Sequence, residues 1–71
     1  MDQIRYSVLM SVYYKERPEY LMESIRSILQ QTVLPDEIVV VKDGPLTDEL
    51  DSVLNEFNNN KLFKFISYSF L

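Results

Sequence analysis

The segment EIVVVKDGP, residues 37–45, constrains the fold more than any other part of the chain. Four consecutive aliphatic residues (38–41) precede Asp43 and Gly44, which is the only glycine in the sequence. A short continuous apolar run that ends at turn-forming residues is typical of a strand buried in a parallel sheet. We expect Gly44 to take a positive φ, and Pro45 restricts the residue before it, so the segment predicts a buried strand that ends in a stiff turn.

Two further stretches have the apolar spacing of α-helices. The first helix is predicted to begin at Pro18, whose missing N–H has no intrahelical partner, and to run to about Gln31. Its apolar stripe consists of Leu21, Met22, Ile25, Ile28 and Leu29. The second helix is predicted to begin near Thr47, a good N-cap residue, and to stop at the three asparagines 58–60. Its stripe consists of Leu50, Val53, Leu54 and Phe57.

Strand patterns alternate with these helices. Residues 6–13 are β-rich and apolar, as expected for a strand covered on both faces, and residues 37–42 and 62–68 form the second and third strands. The order β-α-β-α-β implies right-handed crossovers and a three-stranded parallel sheet in the order 3-2-1. We therefore predict a single Rossmann-like α/β domain over residues 1–71.

The parallel sheet predicts where a ligand would bind, because open α/β sheets bind ligands outside the carboxyl ends of their strands. These ends are residues 11–14, residues 43–45 and about residues 67–69, and the first two should lie side by side. Tyr13 and Tyr14 have two interpretations: they cap the edge of the core, or they form a stacking wall for a ring-shaped ligand.

Asp43 also has two interpretations at this stage. A carboxylate held on a stiff turn is a good acceptor for paired N–H or hydroxyl donors of a ligand, since it has little side-chain freedom left to lose. It can equally form the turn by accepting hydrogen bonds from its own backbone. Asp36, Asp48 and Glu49 fit turn and helix-start positions, whereas Glu16 lies on the predicted ligand side of the sheet.

The composition excludes several kinds of site. The chain has no Cys and no His, which removes thiolate nucleophiles, imidazole bases and Cys or His metal ligands. One glycine cannot build a glycine-rich dinucleotide or phosphate loop. The net charge of −4 and the scattered Lys and Arg residues argue against nucleic acid as a partner. The chain also lacks a D-x-D pair, the usual means of holding a divalent ion against a nucleotide diphosphate.

Nothing in the sequence predicts a signal peptide or a membrane span. The amino terminus has no basic region before an apolar stretch, and no apolar run approaches about 18 residues. We therefore expect a cytoplasmic location, at the inner face of the membrane if the chain is part of a longer protein.

Three segments, SVYY, SILQQT and EIVVVKDG, occur in the order and spacing of the amino-terminal part of glycosyltransferase family 2, which they resemble. The resemblance covers roughly residues 5–58 and implies the GT-A fold. It also implies transfer of a sugar from a nucleotide-sugar donor, commonly a UDP-sugar, to a carbohydrate or lipid-linked acceptor in bacterial surface polysaccharide synthesis. Ser11 and Tyr13 match the strand exit that lines the donor nucleotide pocket, and Glu16 matches an acidic position in the next loop. Asp43 matches the carboxylate that accepts a hydrogen bond from the base.

The sequence departs from the family pattern at two positions, with Tyr14 in place of the usual Asn and Lys42 in place of the first Asp of a D-D pair. The ligands for the family's Mg²⁺ or Mn²⁺ and its catalytic carboxylate belong to later parts of the fold. We therefore expect the chain to be the donor-nucleotide part of an incomplete transferase domain, with no catalytic residue and no activity of its own.

Two other interpretations remain open on sequence grounds. One is a small non-enzymatic α/β module that binds a nucleotide or a protein partner. The other is a nucleotidyltransferase, although that class usually needs a glycine-rich basic loop after the first strand. In the full family fold the first strand pairs with a later strand, so we expect this chain to leave that strand with an unpaired apolar edge, which predicts self-association through the strand or the helices.

Overall fold

The computed structural model describes residues 5–68. Their elements are, in order, β1 (Ser7–Val12), α1 (Pro18–Leu29), β2 (Glu37–Asp43), α2 (Asp48–Asn55) and β3 (Phe63–Tyr68). The strands form one parallel sheet in the order β1-β2-β3. The α/β architecture and the strand order predicted from the alternation of strands and helices are therefore confirmed.

Local chemistry explains where the two helices begin. Pro18 is the first residue of α1, and Glu19 in the first turn favours the positive end of the helix dipole. Thr47 is the N-cap of α2, where its hydroxyl oxygen accepts a hydrogen bond from the backbone N–H of Leu50 at 3.2 Å. Both starts agree with the positions predicted from the sequence.

The helix ends differ from those predictions. The first helix ends at Leu29 rather than at Gln31, whose backbone N–H bonds to the carbonyl of Ile28, three residues back. The second helix ends at Asn55 rather than at the asparagines 58–60. From residue 56 onward the backbone N–H groups donate to the carbonyl three residues back, as in a 3₁₀ turn, instead of four residues back. Short polar side chains compete for backbone hydrogen bonds and favour such turns over continued helix.

The strand ends differ by one residue each. The first strand spans 7–12 rather than 6–13, and the third begins at Phe63 rather than Leu62, whose N–H donates to the side chain of Asn60 at 2.9 Å. The second strand extends one residue further than expected, to Asp43, which pairs with Tyr68 of β3. Asp43 is consequently held by the sheet and does not lie in a free loop.

The core lies between the two helices and one face of the sheet. Residues that alternate along the strands point toward the helices, and we call this surface the helix-covered face: Val8, Met10, Val12, Ile38, Val40, Lys42, Phe63 and Phe65. Ile25 of α1 and Leu50 of α2 are fully buried against it. The two helices also contact each other. The strands therefore bury one side only.

The opposite surface of the sheet is uncovered in the part of the chain that the structure describes. Its side chains alternate with those of the helix-covered face, and we call it the open face: Ser7, Leu9, Ser11, Glu37, Val39, Val41, Asp43, Lys64, Ile66 and Tyr68. Leu9 is 72% exposed and Ile66 is 46% exposed. The expectation that β1 is covered on both faces is thus wrong for these residues. Both right-handed crossovers step in the same direction across the sheet, so they place both helices on the same side.

Candidate functional site

A cavity of about 360 Å³ lies on the open face where the strands end, and we call it the strand-end cavity. It is lined by Ser11 of β1, Val41 and Asp43 of β2, and Tyr68 of β3. All three parallel strands therefore contribute a side chain at their carboxyl ends, which is where open α/β sheets bind ligands. The cavity combines a hydroxyl, a carboxylate, an aliphatic side chain and an aromatic ring.

The backbone at Gly44, next to the cavity, is held by hydrogen bonds. Gly44 has a φ of +83°, which confirms the positive φ predicted from the sequence. Its N–H donates to the carbonyl oxygen of Tyr68 at 2.9 Å and approaches that of Lys42 at 3.1 Å. The bond to Tyr68 continues the pairing of β2 with β3 beyond Asp43, so the backbone on both sides of the carboxylate is held by the sheet.

Of the residues predicted for the site, the structure brings Ser11 and Asp43 into one cavity. Tyr13 and Glu16 belong to the loop after β1, and among residues 5–68 neither lines the strand-end cavity. The backbone N–H of Glu16 donates to the carbonyl of Tyr13 at 3.0 Å, and both side chains are exposed. The Tyr13 ring meets the Tyr14 ring edge-on at a centroid distance of 6.2 Å.

Lys42 lies on the other side of the sheet from the cavity. Its ammonium is 3.8 Å from a carboxylate oxygen of Asp51 in α2 and 5.6 Å from the ring centroid of Phe65. It lines a second hollow, of about 300 Å³, together with Pro45 and Leu46. Neighbouring residues of a strand point to opposite faces, so the Lys that replaces the family's first Asp does not share the cavity with Asp43.

A polar cluster occupies the opposite end of the open face. One carboxylate oxygen of Glu37 is 3.0 Å from the ammonium of Lys64, and the other accepts a hydrogen bond from the Ser7 hydroxyl at 3.1 Å. The hydrogen bonds from Lys64 and Ser7, together with the charge of Lys64, lower the pKa of Glu37 from its ordinary value of 4.5. This cluster links all three strands, and no ligand is needed to account for it.

The residues described do not fit a divalent metal ion. No group of three or more acidic side chains between residues 5 and 68 is arranged to hold one. Asp43 is the one carboxylate among the described residues that line the strand-end cavity, whereas hard divalent ions need several oxygen ligands. Over the same residues, neither helix has the length and apolarity needed to cross a membrane.

Sequence reasoning did not predict Val41 as a lining residue of the cavity, and it placed Tyr68 on the ligand side without giving it a role. The sequence places Val41 only in a buried strand, because it does not reveal that one face of the sheet is open. Tyr68 ends the third strand and lies in register with Asp43. The predicted exit of that strand is residues 67–69, of which Ser69 lies outside the described residues.

Comparison with known proteins gives consistent matches. The chain matches a family model described as "Glycosyl transferase family 2" over residues 7–69. It is 43% identical over 56 residues to a UDP-Gal:alpha-D-GlcNAc-diphosphoundecaprenol beta-1,3-galactosyltransferase of Escherichia coli, and the alignment covers 79% of this chain and 20% of that protein. It is 46% identical over 54 residues to the amylovoran biosynthesis glycosyltransferase AmsE of Erwinia amylovora, covering 76% of this chain and 20% of the relative.

A third relative is a glycosyltransferase of Haemophilus influenzae, described as uncharacterized, which is 43% identical over 63 residues. That alignment covers 89% of this chain and 24% of the relative. The chain therefore spans about a fifth to a quarter of the length of the curated proteins that it matches.

Proposed function

The chain belongs to glycosyl transferase family 2, and from this we propose that it is the donor-nucleotide-binding part of an enzyme that transfers a sugar from a nucleotide diphosphate sugar to an acceptor. One observation carries the proposal: Ser11 and Asp43, which leave adjacent parallel strands, line the same cavity. Family membership alone would support sugar transfer in general, whereas this pairing supports a role for this segment in binding the donor.

Each residue of the proposed site has a chemical role. The Asp43 carboxylate accepts a hydrogen bond from an N–H of the base, and such a bond to an ionised acceptor is stronger than one between neutral groups. The Ser11 hydroxyl, which can donate or accept, binds a carbonyl of the base or a ribose hydroxyl. Tyr13 and Glu16 extend the site into the loop after β1, where their exposed side chains contact the ribose side of the donor.

We propose a UDP-sugar as the donor and a lipid-linked sugar as the acceptor. The Escherichia coli relative is named for transfer from UDP-Gal to an acceptor carried on diphosphoundecaprenol, and the Erwinia amylovora relative is named for amylovoran biosynthesis. A lipid-linked acceptor would place the reaction at the cytoplasmic face of a membrane. The identity of the transferred sugar is a property of the whole enzyme.

The chemical step itself is assigned to groups outside the strand-end cavity. Family 2 enzymes commonly use a divalent ion, but a single lining carboxylate does not make a site for one. We therefore assign no step to a metal and no catalytic role to residues 5–68. The contribution of these residues is to bind the base and to orient the donor.

The proposal is tested by titrating UDP into the chain and following amide shifts by NMR. We expect the shifts to concentrate at Ser11 and Asp43, and we expect Asp43→Asn to raise Kd about 10-fold, because the acceptor loses its charge and the amide N–H₂ of Asn competes for the same position. Asp36→Asn is a matched control, since Asp36 is exposed and precedes the other end of β2. UDP shifts that avoid the strand-end cavity, or equal Kd values for the two variants, would contradict the proposal.

A further inference from the structure

We propose that Tyr68 is a base-recognition residue of this site, whose ring stacks on the base that Asp43 hydrogen-bonds. The inference rests on the proposed function and adds to it a residue from a third strand. Tyr68 lies within the residues that match the family model, 7–69, but beyond the three sequence motifs, which end before residue 58.

The position of Tyr68 in the sheet supports this role. Tyr68 is the last residue of β3 and pairs in register with Asp43, so both side chains lie on the open face. Tyr68 is 59% exposed, although a large aromatic side chain in a sheet is usually packed against a neighbour. Tyr68 lines the strand-end cavity with Ser11, Val41 and Asp43, and it also borders the second hollow beside Lys42.

The chemistry of the lining fits a flat heterocycle better than a phosphate. Val41 and the Tyr68 ring provide apolar surface, while Ser11 and Asp43 provide polar atoms. A nucleobase has the same two parts, an apolar face and a polar edge, and its faces stack on aromatic side chains. No Lys or Arg is among the described residues that line the cavity, so a phosphate would find no cation there.

The sheet holds the backbones that carry the ring and the carboxylate next to each other. The N–H of Gly44 donates to the carbonyl oxygen of Tyr68 at 2.9 Å, directly after the pairing of Asp43 with Tyr68. The two recognition groups thus belong to neighbouring strands that pair at Asp43 and are joined by a backbone hydrogen bond directly after it. A site arranged in this way loses less conformational freedom when the ligand binds.

The experiment compares Tyr68→Phe and Tyr68→Ala in the 71-residue chain, with UMP as the probe. We expect Tyr68→Phe to keep Kd within about twofold, because the stacking ring remains. We expect Tyr68→Ala to raise Kd about 5- to 150-fold, which is the range that loss of one base–aromatic stack produces. Tyr20→Ala is the matched control, since Tyr20 is 58% exposed on α1 and its ring contacts Arg17.

A second readout separates stacking from a purely structural effect. Protons of the uracil ring should shift upfield on binding to the wild type and to Tyr68→Phe, because they lie over an aromatic ring, and this shift should vanish in Tyr68→Ala. Ribose 5-phosphate, which lacks the base, should bind Tyr68→Ala and wild type equally. Far-UV circular dichroism checks that each variant keeps its secondary structure.

The outcomes distinguish the two proposals. If Asp43→Asn weakens UMP binding but Tyr68→Ala does not, or if the uracil protons do not shift upfield in the wild type, the role of Tyr68 is overturned and the nucleotide site stands. Stacking by Tyr68 is likewise overturned if ribose 5-phosphate loses as much affinity as UMP in Tyr68→Ala. If the folded wild type binds neither UMP nor UDP, both proposals fail together.

Discussion

At the scale of single residues, the turn after β2 needs a glycine because of its backbone dihedral angles, and not because a side chain would lack room. Gly44 has a φ of +83°, and a Cβ built on it would meet nothing within 4 Å. The left-handed region costs an L-residue roughly 1–2 kcal/mol through contact with its own backbone. The requirement is therefore a property of the chain path that positions Asp43.

We predict that Gly44→Ala lowers the free energy of unfolding by about 1–2 kcal/mol, measured by urea denaturation. Gly44→Asn should cost less, because Asn tolerates the left-handed region better than Ala does. Equal losses for the two variants would point to a steric cause, and no loss for either would mean that the turn changes its path. In the latter case the position of Asp43 would not depend on the glycine.

Lys42 lies elsewhere than its place in the family motif suggests. By its place in the family motif it replaces a carboxylate next to Asp43, which suggests a shared pocket. Alternation along β2 instead directs it to the helix-covered face, where it meets Asp51 of α2 and the ring of Phe65 of β3. The pair is partly exposed, with an oxygen-to-nitrogen distance of 3.8 Å, so it contributes about 0–1 kcal/mol to stability.

At the scale of elements, the Glu37 cluster connects the three strands on the open face. Ser7, Glu37 and Lys64 belong to β1, β2 and β3, and both carboxylate oxygens of Glu37 are bonded. These contacts favour the ionised form, so the pKa of Glu37 in the folded chain lies below its value in the unfolded chain. Folding is consequently linked to the ionisation of this one group.

We predict that stability decreases as pH falls because of this carboxylate. Its contribution is fully present above the unfolded pKa, near the ordinary value of 4.5, and is lost as pH falls through the lower folded pKa. Urea denaturation from neutral pH downward should show a shallower loss for Glu37→Gln than for wild type. Glu23→Gln, on the exposed side of α1, should keep the wild-type slope, and a Glu37→Gln curve parallel to wild type would refute the linkage.

At the scale of the whole molecule, the sheet has helices on one face and apolar side chains exposed on the other. Among the described residues β1 pairs only with β2, so the other edge of β1 has no partner strand. Leu9, in the middle of β1, is 72% exposed. Unpaired strand edges with apolar side chains pair readily with other chains. We propose self-association of the 71-residue chain through this edge.

Sedimentation velocity over a range of concentrations tests this proposal. We expect the wild-type chain to show concentration-dependent association and Leu9→Lys to shift it toward the monomer, because a charged side chain opposes edge pairing. Tyr20→Lys adds the same charge at an exposed position on α1 and should leave the association unchanged. A wild-type chain that stays monomeric at high concentration would contradict the proposal.

Most of the fold could be predicted from patterns that act over a few residues. The order of elements follows from the apolar stripes of α1 and α2, the N-cap at Thr47 and the aliphatic run of β2. The right-handedness of β-α-β crossovers then limits the possible strand orders. That Ser11 and Asp43 lie close together was predictable, because parallel strands bring their carboxyl ends to one edge of the sheet. The ends of the helices were less predictable. Hydrogen bonds between residues three apart compete there with the α-helical bonds between residues four apart, and the two differ little in free energy.

Three features depend on how distant elements pack, and the sequence alone did not reveal them. Both helices lie on one face, so Leu9 of β1 is exposed and Val39 and Val41 of β2 are only half-buried, although the apolar composition of these strands suggested full burial. Lys42 turns away from Asp43 because strand alternation and the position of α2 direct it there. Tyr68 joins the cavity because its register against β2 places it beside Asp43. Local patterns report how a segment folds, whereas the register and sidedness of a sheet are set by contacts between segments that are far apart in the chain.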